Sequence, residues 1–460
     1  MSTTGGLRIV RVANFVTPVS GGLRTALRHL GAGYLAAGHE AVLVVPGAAR
    51  AEEESEQGLV VTLPGPVLPG SGGYRLLTDR RAVARELERL APDRLEVSDR
   101  TTLRWTGAWA RRHGVRSVMV SHESAAGLLR TWGVPDGLAG AAADRLNGRT
   151  ARAYDTVVCT TGWAAAEFHR LGVRNLARAP LGVDLVAMRP SAATARAYER
   201  AQYAEPEQVL LVLCSRLSAE KQPERALDAL ALLRSGGLPA VLAVAGTGPL
   251  RERLAAQAGR LRLPVHFLGH VGGRAALARL LGCADVVLAP GPVETFGLAA
   301  MEALACGTPV AVSRSSALPG LVGPAGVAAE DSGAGFAEAA RELLSRPEAD
   351  RRAVARAQAE QFGWPAAVEA FLAAHGARAG VGEAGVARAG VAGASGGVEG
   401  SGDGSGVGGA AEALSGKSDR PTSHSGERQG EREGRGERSG RGEKGELGGR
   451  SGRGRAGGQG

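Results

Sequence analysis

The chain of 460 residues has few aromatic side chains, few cysteines and no long apolar run. Aromatic residues make up only 4% while glycine occurs 70 times, which indicates that part of the chain does not pack into a core. The four cysteines lack metal-ligand spacing, so we expect small buried residues in a reducing compartment. No apolar run approaches the roughly 18 residues of a membrane span, and no leader-like pattern precedes the first apolar run. We therefore expect a cytoplasmic location, with peripheral attachment to the inner face of the cell membrane left open.

Basic residues outnumber acidic ones, giving a formal charge of +9. This excess favours an acidic partner such as a nucleotide phosphate, an anionic lipid or a nucleic acid. Residues 378–460 are rich in Gly, Arg, Glu and Ser and contain almost no large apolar side chain, so they are expected to be disordered. Arg-Gly repeats from Arg435 to Arg441 raise an RNA-binding interpretation, but interleaved Glu and the lack of aromatics favour a solvated tail. We do not expect nucleic acid as a partner.

The most informative stretch is residues 290–313, which lies between two short apolar runs. Its pattern predicts a buried strand, a loop holding Glu294 and Phe296, a helix over Leu298 to Ala305 opened by Gly297, and a second strand. A helix that starts after a parallel strand points free N–H groups, here those of Phe296 to Leu298, at the carboxyl edge of the sheet. The stretch therefore predicts an anion site.

Two carboxylates, Glu294 and Glu302, flank this predicted anion site. Because a carboxylate repels phosphate, we expect Glu294 to accept hydrogen bonds from a sugar and Glu302 from a ribose. The alternative is that Glu294 is an ordinary loop charge and Glu302 a solvated helix residue. The apolar neighbours of Glu302 weigh against that alternative, since an isolated buried charge is costly.

Basic side chains follow a second predicted strand, Val209 to Cys214. Arg216 offers a guanidinium fork and Lys221 a compact positive charge, which together suit a diphosphate. An ordinary basic loop is the alternative. We favour the diphosphate because this loop and the Glu294 loop both follow strands of the same predicted sheet.

Three further features lie near predicted strand ends. His122 comes directly after the strand Val115 to Ser121, and Gly22 precedes a helix, where its missing Cβ would let a ligand approach the backbone. The glycines do not form the G-x-G-x-x-G fingerprint, which argues against a nicotinamide enzyme. Trp105 and Trp109, with arginines nearby, suit either core packing or a lipid headgroup layer, and the net basicity favours the membrane-facing role.

The E-x7-E pattern from Glu294 to Glu302, with Phe296 and Gly297 inside it, resembles the retaining glycosyltransferases of family four. The segments VSGGLRTALRHLGAGY, SHES and LGVD carry a narrower resemblance within that family. The resemblance implies the α/β GT-B fold, in which two Rossmann-like, doubly wound domains face each other across a cleft. It places an acceptor domain at residues 1–184, a nucleotide-sugar donor domain at 185–362 and a helix returning to the first domain at 363–377. The disordered tail of residues 378–460 follows.

The resemblance also implies roles for individual residues. His122 would contact the transferred sugar near its reacting carbon, and Gly22 would face both the donor diphosphate and the acceptor. Arg216 and Lys221 would stabilise the leaving diphosphate, so no metal and no cofactor is expected. Backbone groups of Val271 would pair with the edge of the base.

Within that family the chain is most similar to GDP-mannose-dependent α-mannosyltransferases of glycolipid synthesis. The resemblance therefore implies transfer of α-mannose from GDP-mannose to a lipid or glycolipid acceptor at the cytoplasmic membrane face. Two alternatives remain at this point: a UDP-sugar transferase of the same fold, and a nucleotide- or RNA-binding protein that uses its Arg-Gly tail.

Overall fold

The computed structural model describes residues 6–16, 21–68, 73–122, 124–131 and 133–377. The tail predicted over residues 378–460 lies outside the described residues, as does Glu123. The described chain folds into two α/β units, each built on a sheet of mostly parallel strands. The predicted Rossmann-like fold class is confirmed.

The first sheet contains eight strands in the order β3-β4-β2-β1-β5-β6-β7-β8. Its strands are β1 Arg8–Val12, β2 Glu40–Gly47, β3 Ala51–Ser55, β4 Gly58–Pro64, β5 Arg94–Val97, β6 Arg116–Ser121, β7 Thr156–Cys159 and β8 Leu176–Arg178. All neighbouring pairs are parallel except β3 with β4. The helices that accompany this sheet are α1 Gly22–Ala36, α2 Arg80–Leu90, α3 Trp105–Arg112, α4 Ala125–Thr131, α5 Asp136–Ala153 and α6 Gly162–His169.

The second sheet is entirely parallel and has the order β11-β10-β9-β12-β13-β14. Its strands are β9 Val209–Cys214, β10 Ala240–Ala245, β11 Val265–Gly269, β12 Val286–Ala289, β13 Val310–Ser313 and β14 Gly326–Ala329. Its helices are α7 Ala193–Arg200, α8 Glu224–Ser235, α9 Arg251–Arg260, α10 Arg274–Cys283, α11 Leu298–Ala305, α12 Pro319–Val322, α13 Gly333–Ser345 and α14 Glu348–Glu360, followed by α15 Trp364–Ala374. Below, the two α/β units are called the first and second lobes.

The central strands of the second sheet are continuous apolar runs because helices cover both of its faces. β10, with the sequence AVLAVA, is buried along its whole length. Strands this apolar leave only their ends free to carry polar side chains, and this places the functional groups at the edge of the sheet.

The last helix, α15, packs against α1 of the first lobe. The Trp364 ring stacks on His29 with ring centroids 4.6 Å apart, and a Cβ placed on Gly33 would lie 2.2 Å from a methyl group of Val368. Phe371 is fully buried in the core cluster that contains residues of both lobes. Burial of one such side chain is worth about 1.5–3 kcal/mol, so α15 fastens the second lobe to the first.

Some elements differ from the sequence expectations. The strongly acidic segment AEEES forms β3 as an exposed edge strand, because antiparallel pairing with β4 needs no apolar face. The membrane-facing expectation is wrong for Trp109, which is only 3% exposed and stacks on His113. The cysteines are free thiols, as expected, and burial raises the pKa of Cys159 to about 11. No helix in the described ranges is long and apolar enough to cross a bilayer.

Candidate active site

The strand order of the second sheet brings two polar loops together. The chain builds outward from β9 through β10 to β11, then returns to place β12 on the other side of β9. Ligands bind at such a switch point in open parallel sheets, because the loops leaving the two neighbouring strands separate there. The loop after β9 carries Arg216 and Lys221, and the loop after β12 carries Glu294.

Lys221 and Glu294 are in direct contact, with Nζ of the lysine paired to Oε1 of the carboxylate. Both side chains are about one-fifth exposed, so the pair lies at the wall of the cleft. The Glu294 loop is also anchored through its backbone, since its carbonyl accepts a hydrogen bond of 2.9 Å from Ala317 N–H. The structure thus brings together the residues predicted to bind diphosphate and sugar.

Arg216 is held by partners on both sides of the cleft. Its guanidinium lies 3.0 Å from a carboxylate oxygen of Glu220 and donates a 3.2 Å hydrogen bond to the hydroxyl of Tyr74 in the first lobe. Its Cζ atom also lies 5.7 Å from the centre of the Tyr74 ring. Burial favours a raised pKa for Glu220, but a hydrogen bond from Ser218 and the charges of Arg216 and Lys221 hold that pKa below its usual value. Glu220 therefore stays ionised and orients Arg216.

The α11 helix begins where the sequence predicts it. Gly297 precedes it with φ of 62°, and a Cβ there would lie 2.6 Å from Leu318. The neighbouring Phe296 is buried, with its ring against Phe362, so it offers a ligand its backbone and not its side chain. The first N–H groups of α11 have no acceptor within the helix and can bind an anion.

His122 lies at the carboxyl end of β6, opposite the Glu294 loop. Its Nε2 shares a 3.1 Å hydrogen bond with the Ser98 hydroxyl, and its backbone carbonyl accepts a hydrogen bond from the hydroxyl of Thr295. Burial lowers the pKa of His122 to about 4. The imidazole is therefore neutral at pH 7 and can act as a hydrogen-bond donor or acceptor, but it does not add positive charge.

Gly22 faces the start of α11 across the cleft. A Cβ placed on Gly22 would lie 3.3 Å from a methyl group of Leu298. The two lobes are therefore in close contact at Gly22, the residue predicted to lie against a ligand. The α1 helix starts at this glycine and runs beside the second lobe.

Glu302 is buried in α11, with 7% of its surface exposed, and is not the solvated helix residue of the alternative interpretation. Burial raises the pKa of Glu302, while Arg274, at 3.3 Å, acts in the opposite direction. The same guanidinium lies 3.3 Å from Asp184. Arg274 is next to the predicted base contact Val271, so Glu302 and Val271 lie in one corner of the cleft.

Comparison with known proteins identifies the family. Residues 21–183 match the glycosyl transferase 4-like domain, and residues 196–360 match the glycosyl transferases group 1. The chain is 50% identical over 378 residues to the GDP-mannose-dependent alpha-(1-6)-phosphatidylinositol dimannoside mannosyltransferase of Mycobacterium tuberculosis, covering 81% of this chain and 97% of that protein. The chain belongs to the group 1 glycosyl transferases. The predicted enzyme class, a glycosyltransferase, is confirmed.

More distant similarities agree with the fold of the transferase. This chain is 35% identical over 218 residues to the D-inositol 3-phosphate glycosyltransferase of Saccharomonospora viridis, covering 42% of this chain and 47% of that protein. HepE of Anabaena in complex with UDP superposes with a TM-score of 0.63 at 17% identity, covering 80% of this chain and 99% of that one. Sucrose-phosphate synthase from Thermosynechococcus elongatus superposes with a TM-score of 0.63 at 19% identity, covering 78% of this chain and 96% of that one. These structures establish the GT-B arrangement.

Several residues of the transferase site were not found by the sequence analysis. Tyr74 and Arg274 lie far in sequence from the groups they bind, and Glu220 reads as an ordinary loop charge. Asp99, by contrast, accepts hydrogen bonds from the backbone of Thr101 and Thr102 and so caps a turn, the role that its position after β5 favours. A basic side chain at the start of α10 is the signal that could have pointed to Arg274 as the partner of a buried carboxylate.

The charges of the transferase site are arranged by lobe. The second lobe supplies the positive side chains and the helix start, which suit a diphosphate. Beside the Glu294 loop and the start of α11, the first lobe supplies neutral groups, the imidazole of His122 and the backbone near Gly22. Within the described ranges, no group of three or more His, Cys, Asp or Glu side chains is arranged to hold a metal.

Proposed function

We propose that the transferase moves an α-mannosyl group from GDP-mannose to a lipid-linked acceptor, a glycolipid of the phosphatidylinositol mannoside type. The single observation that carries this proposal is the 50% identity to a mannosyltransferase of that specificity across 97% of its length. The contact between Lys221 and Glu294, beside the start of α11, supports the same proposal because it joins the residue proposed to bind the diphosphate to the residue proposed to bind the sugar.

The proposed reaction begins with departure of GDP. Arg216, Lys221 and the N–H groups at the start of α11 offset the charge that develops on the leaving diphosphate, which is electrostatic stabilisation by groups already in place. Glu294 accepts hydrogen bonds from sugar hydroxyls, and neutral His122 donates one from the opposite lobe. The acceptor hydroxyl then forms the new bond on the face from which GDP departs and passes its proton to the departing diphosphate, so the α configuration is retained. This scheme requires no metal.

The proposal is tested by measuring GDP release and product formation from GDP-mannose with an extracted phosphatidylinositol mannoside as acceptor. Arg216→Ala should slow turnover by about a hundredfold or more, because one donor to the leaving group is lost. Arg260→Ala, on the exposed end of α9, is the matched control and should keep wild-type activity. An undiminished rate in Arg216→Ala would remove that residue from the scheme.

The main competing function is transfer from a UDP-sugar. Thermal denaturation in the presence of GDP or UDP separates the two, since a ligand that binds only the folded state raises its melting temperature. We expect a larger shift with GDP. Mass spectrometry of lipids incubated with labelled GDP-mannose then identifies the acceptor, and labelling of a product outside the lipid fraction would contradict the proposed acceptor.

A lipid acceptor requires the protein to work at a membrane, and the first lobe has a basic groove that suits anionic headgroups. The groove has a volume of about 680 Å³ and is lined by Arg145, Arg149 and Arg152 of α5, with Asp144 already paired to Arg170. Each basic residue near an anionic surface contributes about 1 kcal/mol to binding. Peripheral attachment at the cytoplasmic face is therefore part of the proposed function.

Vesicle sedimentation tests this attachment. Vesicles that contain phosphatidylinositol should bind the protein, and a variant with Arg145→Glu and Arg149→Glu should bind several-fold less. Arg260→Glu gives the same type of charge change on the second lobe and serves as the control. Equal binding of all three proteins would exclude the α5 groove as the membrane contact.

A further inference from the structure

A groove of about 310 Å³ separates the first turns of α1 from the start of α10. Arg24, Thr25 and Arg28 line it from the first lobe, while Val271, Gly273 and Arg274 line it from the second. This groove adjoins the buried Glu302 through Arg274. It therefore has one wall at the expected base contact and an opposite wall that carries two arginines.

The wall that holds Val271 also carries two side chains that could contact a base, His270 and Arg274. Val271 has an apolar side chain, and a Cβ on Gly272 or Gly273 would have no neighbour within 4 Å. Backbone N–H and C=O groups can pair with the edge of either a purine or a pyrimidine. Arg274 is already paired with Glu302 and Asp184. A histidine ring cannot donate two hydrogen bonds side by side to one edge of a base. The guanidinium forks that remain in the groove are those of the opposite wall, Arg24 and Arg28.

The position of Arg28 along α1 places it at the base end of the groove. Gly22 opens the helix against Leu298, at the anion site. Arg28 is six residues farther on, which at 1.5 Å per residue is about 9 Å along the helix axis. Arg24 is one turn nearer the anion site than Arg28. Gly22, Arg24 and Arg28 therefore follow each other along α1 in the order in which a bound nucleotide would extend from its diphosphate to its base.

We propose that Arg28 determines the preference for guanine over uracil by donating two hydrogen bonds to O6 and N7 of the base. Guanine presents these two adjacent acceptors, which match the planar fork of arginine, whereas uracil has no such pair beside its ring carbonyl. This inference rests on the proposed use of GDP-mannose and adds the residue that selects its base.

The existing partner of Arg28 does not prevent this contact. Arg28 lies 2.9 Å from Glu56, whose side chain is 69% exposed. Exposed ion pairs of this kind contribute little and exchange readily with other partners. Arg28 itself has 39% of its side-chain surface exposed, so it can turn toward the groove without disturbing the core.

Isothermal titration of the full chain with GDP and with UDP tests the inference. Wild type should bind GDP more tightly than UDP. Arg28→Met should weaken GDP binding by about tenfold or more, the discrimination typical of a bidentate arginine–guanine contact, and leave UDP binding within about twofold. Arg28→Lys should show the same loss for GDP, because it keeps the charge and removes the fork. Arg85→Met on exposed α2 is the control and should match wild type.

The outcomes separate the inference from the proposed function. If both Arg28 variants lose affinity for GDP and UDP equally, the residue acts on the shared diphosphate or ribose, and the inference is overturned while the proposed function stands. If the variants keep the full preference for GDP, the inference is again overturned. If wild type itself prefers UDP, the proposed function fails first, and the role of Arg28 fails with it.

Discussion

Thr295 of the second lobe donates a hydrogen bond from its hydroxyl to the backbone carbonyl of His122 in the first lobe. Thr295 directly follows Glu294, the predicted sugar-binding carboxylate, and His122 is the predicted sugar contact of the other lobe. The bond therefore couples the positions of two groups that are proposed to contact the same sugar. Small changes in how the lobes meet are transmitted directly to the site.

Thr295→Val removes this hydrogen bond and keeps the shape of the side chain. We expect kcat/KM to fall about threefold to tenfold, corresponding to one net hydrogen bond. Thr295→Ser keeps the hydroxyl and should retain most of the activity. Steady-state kinetics with GDP-mannose measure both variants, and a loss confined to Thr295→Ser would show that the methyl group, not the hydroxyl, is required.

Lys221→Ala and Glu294→Gln should each lower kcat/KM by about a hundredfold, the usual cost of removing one charged group that stabilises a leaving anion or positions its partner. Because the two side chains are in contact, the losses should not add. The double variant should be only slightly worse than either single one. A double variant whose loss equals the product of the single losses would contradict a role as a coupled pair.

Acid should destabilise the protein partly through His122. Burial lowers the pKa of this residue from 6.5 to about 4, so between these values the unfolded chain binds a proton that the folded chain does not. Stability contributed by neutral His122 is therefore complete above pH 6.5 and is lost as pH falls toward 4. His122→Asn should lose less free energy of unfolding than wild type between pH 7 and pH 4.5 in urea titrations.

The matched comparison for that experiment uses a second histidine. Burial also lowers the pKa of His29 to about 4, so His29→Asn should likewise reduce the loss of unfolding free energy between pH 7 and pH 4.5. His29 stacks on Trp364 and lies away from the proposed sugar site. His29→Asn should therefore keep more transferase activity than His122→Asn. Identical pH curves for wild type and His122→Asn would show that His122 is protonated normally in the folded protein.

Glu302→Gln should weaken binding of both GDP and UDP, because the expected ribose contact is common to them. GDP that lacks the 2′ and 3′ hydroxyls should bind wild type about tenfold more weakly than GDP, the cost of losing a hydrogen bond to a charged group. In Glu302→Gln the ratio of the dissociation constants of GDP and of GDP without these hydroxyls should be smaller than in wild type. Calorimetry supplies the dissociation constants, and an unchanged difference would assign the ribose to another residue.

Gly297→Ala should lower the free energy of unfolding by about 1–3 kcal/mol, the cost of holding a residue with a side chain in the left-handed region. The added Cβ would also lie 2.6 Å from Leu318. Gly320→Ala is the control, because its Cβ would meet nothing within 4 Å and its φ is not positive. Urea denaturation measures both, and equal stabilities would contradict a special backbone at Gly297.

The sequence by itself determined the alternation of apolar strands and helices, and with it the parallel sheets. It also predicted that the loops carrying Lys221 and Glu294 follow strands of one sheet, although the two residues are far apart in the chain. The physical reason is that parallel strands present their carboxyl ends at one edge, so side chains just after adjacent buried runs converge there. Gly297 and the helix after it were predictable for a local reason, since a helix start follows from the order of nearby residues.

Only the tertiary structure decided the partners of the long side chains. Arg274 reaches Glu302 and Asp184, and Arg216 reaches Tyr74 of the other lobe, at separations along the chain that no local pattern encodes. The spacing of Trp109 in the sequence is compatible with a position in solvent or in the core. The packing of α3 against the first lobe buries it. Such contacts depend on how finished elements pack against each other, because a flexible side chain is positioned by its surroundings and not by its neighbours in sequence.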